Sequence, residues 1–191
     1  MQNEKRLSKI KRLLESVVDL DGEVVEIGCY LGGTSQFMAR IIQPLRVHVF
    51  DAFQGLPKPT EEDVTVSPIH EGVIQVSLDQ FVENWDNSLP WPHVNVGWIA
   101  DTADSLPAKI KFVLIDLDLY LGTKQALNAV YARLIPSGIV VIDDYNHHVF
   151  GPSVQRATRE FLADKPEILV SENLDCSFTG KDCDNAWFQR L

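Results

Sequence analysis

Two apolar runs that each close on a pair of acids constrain this chain more than any other feature. Phe112-Val113-Leu114-Ile115 leads into Asp116-Leu117-Asp118, and Gly138-Ile139-Val140-Val141-Ile142 leads into Asp143-Asp144-Tyr145. Short runs rich in β-branched residues read as strands buried on both faces, the pattern of a parallel sheet. Carboxylates are rarely buried without a partner, so these four belong at the strands' carboxyl ends. That edge is where open α/β sheets bind their ligands. Four acids on two adjacent strand ends call for something positive between them.

The rest of the chain alternates around these runs. Leu7, Ile10, Leu13, Leu14 and Val17 recur at helical spacing, which predicts an amphipathic helix within the segment 1–21, packed on the sheet. Val24 to Gly28 reads as a strand, and Gly32-Gly33-Thr34-Ser35 opens a helix to about Ile42, with Thr34 or Ser35 as its N-cap. Arg46 to Asp51 is a second strand that ends in an acid. Residues 52–76 are rich in Pro, Glu and Thr and read as a long loop over the active edge. A capped helix, Ser77 to Trp85, and a strand, Val94 to Ile99, follow. Beyond the strand Lys111–Asp116 come a helix from about Gly122 to Leu134, the strand Ile139–Asp143 and a helix from Pro152 to Leu162. Strands over Glu167–Val170 and Ala186–Leu191 complete the chain. Such alternation predicts one doubly wound, Rossmann-like α/β domain over residues 1–191, with helices on both faces.

Three motifs carry chemistry. The first is Glu26-Ile27-Gly28-Cys29-Tyr30-Leu31-Gly32-Gly33, followed by Thr34 and Ser35. Glycines there let a ligand approach the backbone, and the helix behind them offers free N–H groups. The plainer alternative is a tight strand-to-helix turn. The spacing is not Gly-x-Gly-x-x-Gly, and an acid two residues before the first glycine is the form of S-adenosylmethionine sites. The second motif is Asp51-Ala52, at the position from which an acid accepts both ribose hydroxyls of a nucleoside. The third is the aspartate cluster. Neighbouring strands lie ~4.8 Å apart, so Asp116 and Asp143 can bracket one ion with Asp144 beside them. Mg²⁺ or another hard divalent cation favours such oxygen donors. Solvated loop acids or helix caps are the alternative. His147 and His148 follow at the same edge and are candidates for a base or substrate contact. Trp85, Trp91 and Trp98 read as packing residues, with Trp98 close to where an adenine would lie.

Together these motifs resemble the macrocin O-methyltransferase family, metal-dependent enzymes that use S-adenosylmethionine to methylate sugar hydroxyls. The resemblance rests on Val25-Glu26-Ile27-Gly28 with Gly32-Gly33, then Asp51-Ala52-Phe53-Gln54-Gly55-Leu56-Pro57 and Gly97-Trp98-Ile99-Ala100-Asp101-Thr102. Asp116-Leu117-Asp118-Leu119-Tyr120 with Thr123, and Gly138 to Tyr145, complete it. It implies a seven-stranded sheet with the last strand antiparallel. The cofactor's methionine end would lie over Glu26, Gly28, Tyr30, Gly32, Thr34 and Ser35, with Asp116 beside it. Its ribose would lie on Asp51 and Ala52, and its adenine near Trp98, Asp101 and Thr102. Asp116, Asp143 and Asp144 become metal ligands, with Asp118 the base and His147 an alternative. Members usually carry a longer N-terminal segment than the roughly 21 residues here, and Asn146-His147-His148 replaces a stretch that commonly holds a glycine.

Composition excludes other classes. A net charge of −10 argues against nucleic acid or an anionic membrane as partner, since both demand basic patches. The charged N-terminus has no apolar core of a signal peptide, and nothing approaches the ~20 apolar residues of a membrane span. Three cysteines, Cys29, Cys176 and Cys183, fit a reducing cytoplasm and read as ordinary thiols. The partner expected is a small-molecule hydroxyl substrate, and the poorly covered edge predicts a homo-oligomer. A metal-dependent glycosyltransferase is one rival, but the Glu26–Gly33 loop and the second acid pair count against it. A haloacid-dehalogenase-type phosphatase would want Thr or Val where Tyr120 stands. A methyltransferase-fold scaffold without catalysis is the rival from another class.

Overall fold

The computed structural model describes residues 4–63, 69–171 and 185–191. Cys176, Cys183, Asp182 and Asp184 fall outside these residues, as does part of the 52–76 loop. The strands are β1 (Glu23–Ile27), β2 (Val47–Asp51), β3 (His93–Val96), β4 (Ile110–Ile115), β5 (Leu134–Ile142), β6 (Val170–Ser171) and β7 (Ala186–Gln189). They form one sheet in the order β3-β2-β1-β4-β5-β7-β6. β1 to β5 pair in parallel, and β7 runs antiparallel to both β5 and β6. This is the expected Rossmann-like sheet.

The helices are α1 (Glu4–Glu15), α2 (Gly33–Ile42), α3 (Leu78–Asn84), α4 (Ile99–Thr102), α5 (Tyr120–Tyr131) and α6 (Gly151–Leu162). Side chains alternate across a pleated strand, and β4 uses both sides fully. Phe112 and Leu114 pack with Ile10, Leu13 and Leu14 of α1, Met38 of α2 and Phe81 of α3. Val113 and Ile115 pack with Ile99 of α4, Ala126, Leu127 and Val130 of α5, and Val154 and Phe161 of α6. A strand enclosed in this way has no place for an unpartnered carboxylate within its length. Asp116 therefore falls on the first residue beyond β4, and Asp143 on the first beyond β5.

Several boundaries differ from the sequence reading. β3 stops at Val96, and Ile99–Thr102 turns into a helix capped at Trp98. α5 starts two residues early, at Tyr120, whose N–H donates to Asp63 Oδ1 at 2.7 Å. A cap supplied from 57 residues away leaves no local signal. Neither Thr34 nor Ser35 caps α2. Gly32 does, in a left-handed conformation, because both hydroxyls are committed elsewhere.

Candidate functional site

The strand order reverses between β1 and β4, which opens a crevice at their carboxyl ends. Backbone bonds hold its floor: Asp116 N–H donates to Ile27 at 2.8 Å, and Gly28 N–H donates to Phe50 at 2.8 Å. Gly28 has φ +86°, and a Cβ there would lie 1.8 Å from the Asp116 carbonyl oxygen. Gly32, at φ +75°, lies against the Phe81 ring, 2.7 Å from where its Cβ would be. The glycines make room first for the protein's own atoms. Of the two readings of this loop, the crowding accounts for the glycines as a tight strand-to-helix turn.

A cavity of about 270 Å³ fills the crevice. Of the residues expected around a cofactor, Gly28, Tyr30, Asp51, Ala52, Trp98 and Asp116 line it. Asp118 and Asp144 line it too, along with Leu117, Ile74 and Phe150, which the sequence did not single out. Trp98 and Leu117 also border a second cavity of about 280 Å³ that reaches Asp101. Thr102 is turned inward, its hydroxyl donating to the Trp98 carbonyl at 3.0 Å. Glu26 lies buried beneath the glycine loop and accepts a hydrogen bond from the buried Ser35 hydroxyl. Burial drives the Glu26 carboxyl up to about 8, against the opposing effects of Ser35 and the Arg6 charge.

Asp51 organises the cofactor side of the crevice. Its Oδ2 accepts the N–H groups of Cys29 and Tyr30, each at 2.9 Å, and its Oδ1 accepts that of Phe53 at 2.7 Å. Tyr30 and Phe53 are both left-handed, at φ 51° and 53°. The carboxylate thus fastens the loop after β1 to the end of β2.

The acids beyond β4 and β5 have different surroundings. Asp118 and Asp144 are left-handed, at φ 61° and 53°, a conformation that the short polar aspartate tolerates better than most residues. These turns bring carboxylate oxygens of Asp116, Asp118 and Asp144 within 4.8 Å of one another. Burial and then the neighbouring Asp143 charge push Asp116 and Asp144 well above the usual carboxylate range. Burial raises Asp118 to about 6 even though it shares a hydrogen bond with Asp144. Asp143 stands apart. Arg6 Nε donates to its Oδ1 at 3.0 Å, and Arg6 Nη2 donates to its Oδ2. That cation overcomes burial and holds Asp143 below its ordinary value. Arg6 was missed in the sequence because a charged residue on an amphipathic helix reads as a solvated one.

His147 is engaged in its own turn. Its Nδ1 accepts the N–H of Val149 at 3.2 Å and of Phe150 at 3.3 Å, and its ring stacks on Phe150. It is not among the residues that line the crevice cavity.

Residues 1–175 match the family model for macrocin O-methyltransferase (TylF). The chain is 33% identical over 157 residues to 8-demethyl-8-(2,3-dimethoxy-α-L-rhamnosyl)-tetracenomycin-C 4'-O-methyltransferase of Streptomyces olivaceus, covering 74% of this chain and 60% of that protein. It is 32% identical over 165 residues to mycinamicin III 3''-O-methyltransferase of Micromonospora griseorubida, covering 74% and 63%. The chain therefore spans less than two thirds of these curated relatives. Among solved structures, the O-methyltransferase NovP superposes with a TM-score of 0.77 at 26% identity, covering 98% of this chain and 80% of NovP.

Proposed function

Because this chain belongs to the macrocin O-methyltransferase family, we propose that it methylates a sugar hydroxyl of a glycosylated small molecule, using S-adenosylmethionine and a divalent cation. The observation that carries this reading is the convergence of Asp116, Asp118 and Asp144 on a cavity that Gly28, Tyr30 and Asp51 also line. The donor set is all oxygen, which suits Mg²⁺ or a similar ion. Burial, and after it the Asp143 charge, raises the Asp116 and Asp144 carboxyls, and a bound cation would oppose both effects. The relatives whose names specify rhamnosyl-tetracenomycin and mycinamicin acceptors support a sugar as the substrate class.

In this reading Asp116 and Asp144 would hold the cation with Asp118 at its edge, and Asp143 would join them only by giving up part of its pairing with Arg6. Bound S-adenosylmethionine supplies an electrophilic methyl group, and the cation supplies charge that lowers the pKa of a nearby hydroxyl. Asp118 takes the hydroxyl proton on its carboxylate. With a carboxyl at about 6 it is mostly ionised at neutral pH and ready to do so. Asp51 keeps the loop in place, and its Oδ1, which accepts a single N–H, retains a lone pair for a ribose hydroxyl. Glu26, Thr34 and Ser35 lie beneath the loop on the methionine side, and Trp98 lines the crevice where an adenine would lie, with Asp101 and Thr102 on the turn behind it. His147 orders the turn that carries Phe150 into the crevice. Transfer is then an in-line displacement that gains mostly from orientation. A cytoplasmic homo-oligomer belongs to the same proposal, supported by exposed Val73, Ile74, Leu78 and Val82 beside the crevice loop and on α3.

Calorimetric titration with S-adenosylhomocysteine, in Mg²⁺ and again in EDTA, tests the reading. Micromolar binding is expected, on the order of −8 kcal/mol, with Mg²⁺ binding measurable on its own. Binding of UDP or NAD in its place would contradict it. Binding of S-adenosylhomocysteine with no Mg²⁺ binding would favour the non-catalytic scaffold.

A further inference from the structure

Arg6 sits on the first turns of α1, 137 residues from Asp143 in sequence, yet its guanidinium spans the acidic edge. Nε and Nη2 engage both oxygens of Asp143, Nη2 also reaches Asp116 Oδ2 at 3.3 Å, and Nη1 donates to Thr34 Oγ1 at 3.2 Å. The side chain is only 13% exposed. Its planar fork stays charged under all ordinary conditions, so this is a fixed positive charge and not a switchable one. Asp116 is shared, because one carboxylate both pairs with Arg6 and belongs to the group that gathers with Asp118 and Asp144.

We propose that Arg6 is a tethered cation that shares Asp116 and Asp143 with the divalent ion and thereby weakens and tunes the binding of that ion. The inference rests on the cation reading above. The guanidinium adds one positive charge among the four acids, so the group attracts a divalent ion less strongly than it would without Arg6. Arg6 also holds Asp143 in a bidentate grip, so its carboxylate reaches the ion only as the grip loosens. Before the ion arrives, the same grip offsets the repulsion between Asp116 and Asp143, which follow neighbouring strands. Arg6 is therefore a positioning residue. It keeps the acidic edge folded while that edge holds no metal, and in exchange it makes metal binding weaker and more readily reversible. It also ties the docking of α1 to the state of the ion.

The test is a calorimetric titration of Mg²⁺, and separately of Mn²⁺, into the full chain as wild type, R6K and R6Q, without S-adenosylmethionine. The thermal midpoint of each is recorded with and without the ion. R6Q should bind the ion roughly tenfold more tightly, from the lost like-charge repulsion. R6K keeps the charge but not the fork, and should fall between R6Q and wild type. Without the ion, R6Q should melt below wild type, and saturating ion should close most of that gap. R6K covers the case in which R6Q does not fold without the ion. Equal or weaker ion binding by both variants, with wild type still binding, would overturn the role of Arg6 and leave the cation site standing. No ion binding by any of the three would remove the cation site, and this proposal with it.

Discussion

Asp51 and Asp116 are both strand-end acids on the same crevice, one closing β2 and one just beyond β4, yet their partners have little in common. Asp51 accepts three backbone N–H groups from its own neighbourhood. Asp116 faces Asp118, Asp143 and Asp144, with one guanidinium shared across the group. A carboxylate ringed by N–H donors is already neutralised, so it shapes a loop and keeps one acceptor site for a neutral hydroxyl. One ringed by carboxylates is incomplete and serves to attract a cation. The position of an acid in the sheet brings it to the ligand, but the surrounding donors decide what it does there.

The comparison is broken most severely through Asp118. D118N should lower turnover by ~10²–10⁴-fold, the usual worth of a general base, and leave S-adenosylhomocysteine binding in place. Release of S-adenosylhomocysteine with a glycosylated acceptor measures this, and a loss below tenfold would remove Asp118 as the base. Next in size is Gly28, where the two sides of the crevice touch. G28A would drive a methyl into the Asp116 carbonyl oxygen in a left-handed backbone, costing about 3 kcal/mol or more in urea denaturation. Near-neutral behaviour would mean that the two sides are not packed as described.

Glu26 sharpens the contrast from beneath the loop. Its folded carboxyl titrates at about 8 against 4.5 for the unfolded chain, chiefly through burial. Between those values the unfolded chain has released the proton and the folded chain has kept it. Stability from this group is therefore fully present below pH 4.5 and is lost as pH rises through 8. The slope is up to ~1.4 kcal/mol per pH unit within that window. E26Q cannot ionise and should lack this slope, so its urea stability relative to wild type should improve from pH 5 to pH 8.

Much of this was legible in sequence because burial on both faces leaves a strong local mark. The runs ending at Ile115 and Ile142 place four acids on one edge, and the need for a positive charge among them followed directly. The identity of part of that charge did not. Arg6 meets Asp143 only through the tertiary fold, and nothing in the amphipathic pattern of α1 separates it from the exposed Lys5 or Arg12. Asp63 capping α5 from the crevice loop is hidden for the same reason. The glycine loop was legible as a turn, but its crowding by Asp116 and Phe81 required the coordinates. The place of Asp118 beyond the strand end was legible in the apolar run before it. The left-handed geometry that groups it with Asp116 and Asp144, while Asp143 turns to Arg6, did not.

The central claim is that the two kinds of acid do separable work, and paired calorimetry on D51N and D116N tests it most directly. Each variant is titrated with S-adenosylhomocysteine and with Mg²⁺. D51N should lose roughly 1.5–3 kcal/mol of nucleoside affinity and keep its Mg²⁺ binding. D116N should lose Mg²⁺ binding and keep the nucleoside within a few fold. Both variants losing both ligands together, or D51N alone losing Mg²⁺, would contradict the account.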